Sequence, residues 1–388
     1  MTGRGIAVIG AGMIGAAHAS GYRAHVTRFV DRLPGLGLAT ICDANAELAE
    51  ALAKTYGFKS VATDWQAVIA DPAVGIVSVC LPNFLHAEVT AAALGAGKAV
   101  ICEKPLAINA AEARALHALA KQSTHASATV FNYRRYPAVH EIRNLIASGD
   151  VGDPVHLLVQ YQAEYAADPD LPHSWRYERS RAGAGALLDV GTHAIDTARF
   201  LCGDIAEVVG AMASISIKQR RLPTGLAVGH NRTALGNETR IVDNDDVVSA
   251  LLRFESGCQG MFSASRIAIG MGNTLSFTVS GTRGTASFTS ERPGEYRISR
   301  SNSSGPAGFT IVPNRPTSPY ADLLAVPHDG VAVGYAEAFG FMIHEFLTCI
   351  AENKPMQNGS LLDGVKAAIA MEAILASAES GRSTELTN

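Results

Sequence analysis

From residue 5 to about residue 132 short apolar runs alternate with amphipathic stretches, the pattern of a parallel sheet whose strands are joined by crossover helices. Gly5–Ile9, Leu38–Cys42, Gly75–Leu81, Ala99–Cys102 and Ser127–Phe131 are the predicted strands, several apolar on both faces as buried parallel strands are. Gly12–Ser20, Ala44–Tyr56, Trp65–Ala70, Asn83–Ala96 and Asn109–Lys121 carry the helical period between them. Beyond Tyr133 the pattern changes. Pro137–Ser148 predicts an amphipathic helix stopped by Gly149, and Pro154–Gln162 opens a period-two alternation that returns at Val247–Phe254, Gly257–Ala264, Leu275–Ser280 and Ala286–Thr289. Turn residues at Glu255-Ser256-Gly257 and Gly281-Thr282-Arg283-Gly284 make these consecutive hairpins. Helices Gly334–Glu352 and Ser360–Glu379 close the chain. The fold class is α/β: a doubly wound parallel sheet in residues 1–132, then an α+β domain in residues 133–388 with a large, mainly antiparallel open sheet covered by helices on one face.

Composition narrows the function. The 388 residues are 47% apolar and 18% charged, enough for two domains with separate cores and too apolar for a disordered chain. A net charge of −4 offers no footprint for nucleic acid or an anionic membrane. The six cysteines show no C-x-x-C spacing and sit mostly in apolar runs, so they read as buried reduced thiols. The N-terminus MTGRGIAVIGAG enters a strand without the pattern of a secretion signal, and no apolar run approaches the ~18 residues of a spanning helix, so the expected location is the cytoplasm. The sequons at Asn231 and Asn237 would matter only in a secreted chain.

The first site motif is Gly10-Ala11-Gly12-Met13-Ile14-Gly15, which follows the first strand and opens the first helix. In that context G-x-G-x-x-G marks a Rossmann dinucleotide site: a tight turn, close backbone approach to a pyrophosphate, and helix N–H groups aimed at the anion. The second strand ends in Asp43, a carboxylate able to accept both ribose hydroxyls while repelling the 2′-phosphate of NADP, and no Arg or Lys follows closely. Asp43 lies further from the glycines than the usual ~20 residues, which implies an insertion within Tyr22–Gly37. NAD is the cofactor expected. The lesser reading is that Asp43 caps the helix Ala44–Tyr56, and the two roles can coexist.

Four further motifs complete a family pattern: Leu81-Pro82-Asn83-Phe84-Leu85-His86, Glu103-Lys104-Pro105, Asn132-Tyr133-Arg134-Arg135, and Gly185-Ala186-Leu187-Leu188-Asp189-Val190-Gly191-Thr192-His193. From Gly5 to about Gly381 the chain resembles the Gfo/Idh/MocA oxidoreductases, and within them inositol dehydrogenases and glycoside or anhydrosugar dehydrogenases, the levoglucosan type included. The resemblance implies a cis Lys104–Pro105 peptide, and cofactor contacts from Leu81, Pro82, Asn83, His86, Glu103, Lys104, Asn132, Trp175 and Arg176. It also implies a subunit interface on the open face of the second sheet, hence a homodimer or homotetramer.

The residues themselves point to alcohol oxidation. Lys104 ends a parallel strand, where open α/β sheets bind ligands, and its amine suits a hydroxyl acquiring alkoxide charge. Asp189 and His193 stand four apart at the start of a helix running to Gly203, so that the carboxylate would orient an imidazole acting as base. In isolation the two fit a structural ion pair as well, and Asp196, on the same face, opens a metal reading that no second histidine or thiolate supports; no metal is expected. Tyr133 and Tyr335 are pocket-wall candidates. Glu164–Arg181, with Tyr165, His173, Trp175, Arg176 and Tyr177, has the mix of aromatic faces and polar tips that suits a sugar ring. Arg221–Asn244 reads as a lid or an arm reaching a neighbouring subunit, each of these two loops reading equally well as plain surface loop, and Ser301–Pro319 reads as an exposed excursion. The expectation is hydride transfer from a secondary alcohol of a sugar, anhydrosugar, glycoside or cyclitol to NAD. An NAD-dependent glycoside hydrolase with transient oxidation and a non-catalytic sugar sensor are the alternatives.

Overall fold

The computed structural model describes residues 3–225, 229, 232–301, 308–314 and 320–386, in two compact units. The first comprises residues 1–132 and 335–368. Its sheet has the order β3-β2-β1-β4-β5-β6, all parallel, with β1 Gly5–Ile9, β2 Gly37–Cys42, β3 Ser60–Ala62, β4 Val74–Val79, β5 Ala99–Cys102 and β6 Ser127–Thr129. The switch point between β1 and β4 is where such sheets bind dinucleotides. The connecting helices are α1 (Met13–His25), α2 (Ala46–Tyr56), α3 (Trp65–Ala70), α4 (Asn83–Gly95) and α5 (Ala110–Ala120). β3 escapes the apolar pattern because it is a three-residue edge strand with largely exposed side chains.

The second boundary of this unit differs from the contiguous division at residue 132. Tyr335–Ala368 clusters with the first unit. Phe339, Met342, Ile343 and Phe346 of the helix Tyr335–Glu352 join Ala19, Tyr22, Val26 and Phe29 in one buried core. The anticipated insertion therefore serves this packing: α1 runs on to His25, and a short 3₁₀ turn, Val26–Phe29, extends the same apolar face. Periodicity identifies a helix but not the distant partner that buries it.

The second unit, residues 133–334 and 369–388, is built on a nine-stranded sheet. Its strands are β7 (Pro154–Ala163), β8 (Ile205–Ser214), β11 (Val247–Phe254), β12 (Gln259–Ser265), β13 (Asn273–Gly281), β14 (Gly284–Thr289), β15 (Glu295–Arg300), β16 (Thr310–Pro313) and β17 (Thr384–Glu385), in the order β16-β15-β14-β13-β7-β12-β11-β8-β17. Only β7 and β12 pair in parallel; the remaining neighbours are antiparallel. Alternate residues of β11 are buried and exposed, as a one-sided sheet requires. Helices α6 (Pro137–Ala147) and α8 (Thr192–Cys202) pack on it, and the chain between them includes a single turn, α7 (Arg179–Ala182).

Two loop expectations change. Within Arg221–Asn244 the structure forms a second sheet, the hairpin of β9 (Gln219–Pro223) and β10 (Leu235–Ile241). Within Ser301–Pro319 only 301 and 308–314 are described, and Thr310–Pro313 is the edge strand β16. Asn231 lies outside the described residues. Among them, no helix, including α9 (Tyr335–Glu352) and α10 (Leu361–Ser380), is long and apolar enough to cross a membrane.

Candidate active site

The glycines of the first unit are required by backbone geometry. Gly10 has φ +107°, and a Cβ there would lie 2.2 Å from the Cys80 carbonyl oxygen. A Cβ on Gly15 would lie 1.9 Å from the Gly10 oxygen, so that α1 can pack this tightly only on glycine. At Gly12 a Cβ would meet nothing within 4 Å, and no side chain caps α1. The start of the helix is thus left open at Gly12, which fits a pyrophosphate drawn to the positive end of the dipole. Met13, 77% exposed, and Ile14 continue this turn.

Asp43 closes the loop from the other side. Its Oδ2 accepts from Ala11 N at 2.7 Å and its Oδ1 from Asn45 N at 2.9 Å. It does not cap α2: Asn45 does, accepting from Glu47 N and Leu48 N, and the helix begins at Ala46. The carboxylate is thereby fixed against the glycine loop, at the strand end where ribose hydroxyls are read. Asp43→Ala is expected to narrow the preference for NAD over NADP by about 1–3 kcal/mol, the worth of a buried charged hydrogen bond. Initial rates with both cofactors check this, and a parent enzyme equally fast with NADP would refute it.

At the ends of β4 and β5 the anticipated residues divide. Pro82 and Asn83 start α4. Leu81 offers its carbonyl, and His86, anticipated as a cofactor contact, is instead 1% exposed with both ring nitrogens 2.7 Å from backbone carbonyls, those of Leu81 and Pro105. Glu103 is 5% exposed, accepts from Lys104 N at 3.0 Å, and lies 3.0 Å from His18 Nε2. These contacts tie its carboxylate to the strand end and to α1. The Lys104–Pro105 peptide is cis. Asn132 is fully buried with neither amide atom hydrogen-bonded among the described residues, a polar group suited to meeting a ligand.

The second unit supplies an aromatic and acid–base cluster. Asp189 lies on a π-helical turn, Leu187–Gly191, and α8 begins only at Thr192, so Asp189 and His193 are not residues of one continuous α-helix. The wider turn changes their angular relation, and Tyr165 donates its hydroxyl to Asp189 Oδ2. Burial, then the adjacent carboxylate, pushes the Tyr165 phenol well above its ordinary value, so it remains a donor. His193, buried, packs against both Tyr133, ring centroids 4.9 Å apart and edge-on, and Tyr161, stacked at 5.8 Å. The Tyr133 and Tyr161 hydroxyls are 2.8 Å apart, and Tyr161 donates to Asn273 Oδ1.

The segment leading into the π turn is fastened from a distant loop, that between β10 and β11. Asp245 accepts from Gly185 N and Leu187 N with its carboxylate and from Ala186 N with its carbonyl, each at 2.8 Å. A Cβ on Gly185 would lie 1.8 Å from that carbonyl oxygen. Asp196 forms a two-point pair with Arg134, at 2.6 and 2.8 Å, which removes it from the metal reading.

Sequence reasoning missed Tyr161 and Asp245. Tyr161 shares the buried register of Leu157 and Val159 on β7, and a buried tyrosine whose hydroxyl needs a partner was the available signal. Asn244-Asp245-Asp246 reads only as a polar loop. In the loop Glu164–Arg181, Tyr165 reaches the cluster. His173 is tied to the hairpin through Arg221 O and Ile241 O, and Tyr177 lies under the guanidinium groups of Arg220 and Arg266. Trp175 and Arg176 stack on each other at 4.4 Å. Tyr335 opens α9 and packs on Phe339.

Residues 4–131 match the family model for the NAD-binding Rossmann fold of an oxidoreductase family, and residues 139–287 match the GFO/IDH/MocA C-terminal domain. The chain is 37% identical to levoglucosan dehydrogenase of Pseudarthrobacter phenanthrenivorans over 96% of this chain and 95% of that protein. It is 28% identical to inositol 2-dehydrogenase of Rhizobium meliloti over 91% and 92%. The solved structure of levoglucosan dehydrogenase with NADH and levoglucosan superimposes with a TM-score of 0.90, at 34% identity and 99% coverage of both chains. The two family models together cover most of the chain, and the chain belongs to the GFO/IDH/MocA family of NAD-binding oxidoreductases.

Proposed function

We propose that this protein oxidises a secondary alcohol of an anhydrosugar, levoglucosan or a close analogue, with NAD as acceptor. The observation that carries the reading is the end-to-end similarity to levoglucosan dehydrogenase; the chemistry of the residues present supports it. NAD, when bound on the cradle of Gly10, Gly12 and Gly15, supplies the hydride acceptor. The chain then has two tasks. One is to take the hydroxyl proton, which we assign to the His193 imidazole; the other is to stabilise the charge left on oxygen, which we assign to the Lys104 ammonium. Asp189, held by Tyr165, orients the reacting ring through a neighbouring hydroxyl. Tyr133, Tyr335, Asn132, Trp175 and Arg176 are the proposed pocket wall.

The protein is further proposed to be a cytoplasmic homo-oligomer joined through the open face of the nine-stranded sheet. Leu158, Met212, Leu251 and Met261, each 43–75% exposed, make that face more apolar than a solvated one usually is. All six cysteines are free thiols, compatible with a reducing compartment.

The decisive experiment follows NADH formation from levoglucosan, other anhydrosugars, free sugars, glycosides and cyclitols. The highest kcat/KM is expected on an anhydrosugar. A cyclitol turned over faster would replace the substrate class. Glycoside cleavage without net NADH would make the protein a hydrolase, and no turnover of any ring polyol would leave a sensor.

A further inference from the structure

His86 ends the first turn of α4 and is almost fully buried. Its Nδ1 lies 2.7 Å from the carbonyl oxygen of Pro105 and its Nε2 2.7 Å from that of Leu81. A carbonyl oxygen only accepts, whereas a neutral imidazole carries one N–H and one lone pair. A neutral ring would therefore set lone pair against lone pair at one of the two contacts, at the short end of the N–H···O range. Only the imidazolium donates at both ends.

The charged and polar groups acting on the ring oppose one another. Burial is the largest influence and, with Lys104, lowers the ring's pKa below its ordinary value; the Pro105 and Leu81 carbonyls and the Glu103 carboxylate act the other way and favour the cation. The carbonyl geometry decides between them, because the energy of a buried repulsive contact is added to the neutral form alone.

We propose that His86 is an imidazolium clamp that ties the segment after β4, through Leu81, to the segment after β5, through Pro105, and is thereby a positioning residue for Lys104. The Lys104 backbone is then held at two neighbouring points: its own N–H on Glu103 Oε2, and the carbonyl of the next residue on His86. Loss of the second ring proton frees one end of the tie, so the precision of Lys104 should decline at high pH. The kinetic part of this inference rests on the role given to Lys104 above; the protonation state of the ring does not.

The first test reads that state in the full chain saturated with NAD, by proton–nitrogen correlation of ¹⁵N-histidine protein, with the His86 ring assigned by its loss in His86→Gln. Protons on both ring nitrogens from pH 6 to pH 8.5 are expected; a single N–H at pH 7 overturns the clamp. Should the variant fail to fold, neutron diffraction from the parent at pH 8 reads the same two hydrogens. The second test is kinetic. His86→Gln and His86→Asn, neither able to donate in both directions, should lower kcat by about tenfold, with KM and NAD affinity within about twofold, as a small displacement of a catalytic group does. Unchanged kcat in both overturns the positioning role. A doubly protonated ring together with full activity in Lys104→Met would uphold the clamp and overturn the role assigned to Lys104.

Discussion

Lys104→Met is expected to lower kcat and kcat/KM together by about 10²–10³-fold, the loss seen when one donor to a developing oxyanion is removed. Methionine keeps an unbranched stem and takes away the ammonium, so the strand end need not collapse. The backbone N–H bond to Glu103 survives the change because it does not involve the side chain. If the amine acts on charge that appears only as hydride leaves, its contribution belongs to the transition state and both constants fall. If it merely binds the ground-state hydroxyl, KM rises and kcat holds. Steady-state kinetics on the substrate identified by the screen separates the two, and an unaltered kcat would assign Lys104 to binding.

His193→Ala is expected to cost about 10²–10⁴-fold in kcat while NAD still binds, the usual size of a general-base contribution. The parent rate should also fall on acidification, because a base must be neutral to accept the hydroxyl proton and protonation removes it; the variant should lose that acid limb. The two rings beside His193 sharpen the test. Burial raises the Tyr133 phenol to about 12, so Tyr133 stays neutral across the working range and does not itself produce a limb near neutrality. Normal turnover by His193→Ala, with the acid limb intact, would leave His193 as packing against Tyr133 and Tyr161.

Local pattern by itself determined the parallel sheet of the first unit, its glycine loop, Asp43 at the end of β2 and the strand end that carries Lys104. Each is a short-range consequence of chain chemistry: a period of two or 3.6, a glycine that alone tolerates a carbonyl 2.2 Å from its Cβ position, a carboxylate at a strand end. The family motifs extended this to the Asp189–His193 segment. Tertiary structure decided what depends on groups distant in sequence. It set Asp189 on a π turn, and Asp245 accepts from the three successive N–H groups that lead into that turn and have no acceptor within it. It moved His86 from a cofactor contact to a buried tie, since which carbonyls a histidine meets depends on how two strand ends converge. It made Tyr165 and Tyr161 neighbours of the cluster, and it returned α9 to the first unit through packing on α1. Periodicity records which side of an element is apolar; the partner that covers it, and the polar atoms that must pair once water is excluded, are settled only when the whole chain has folded.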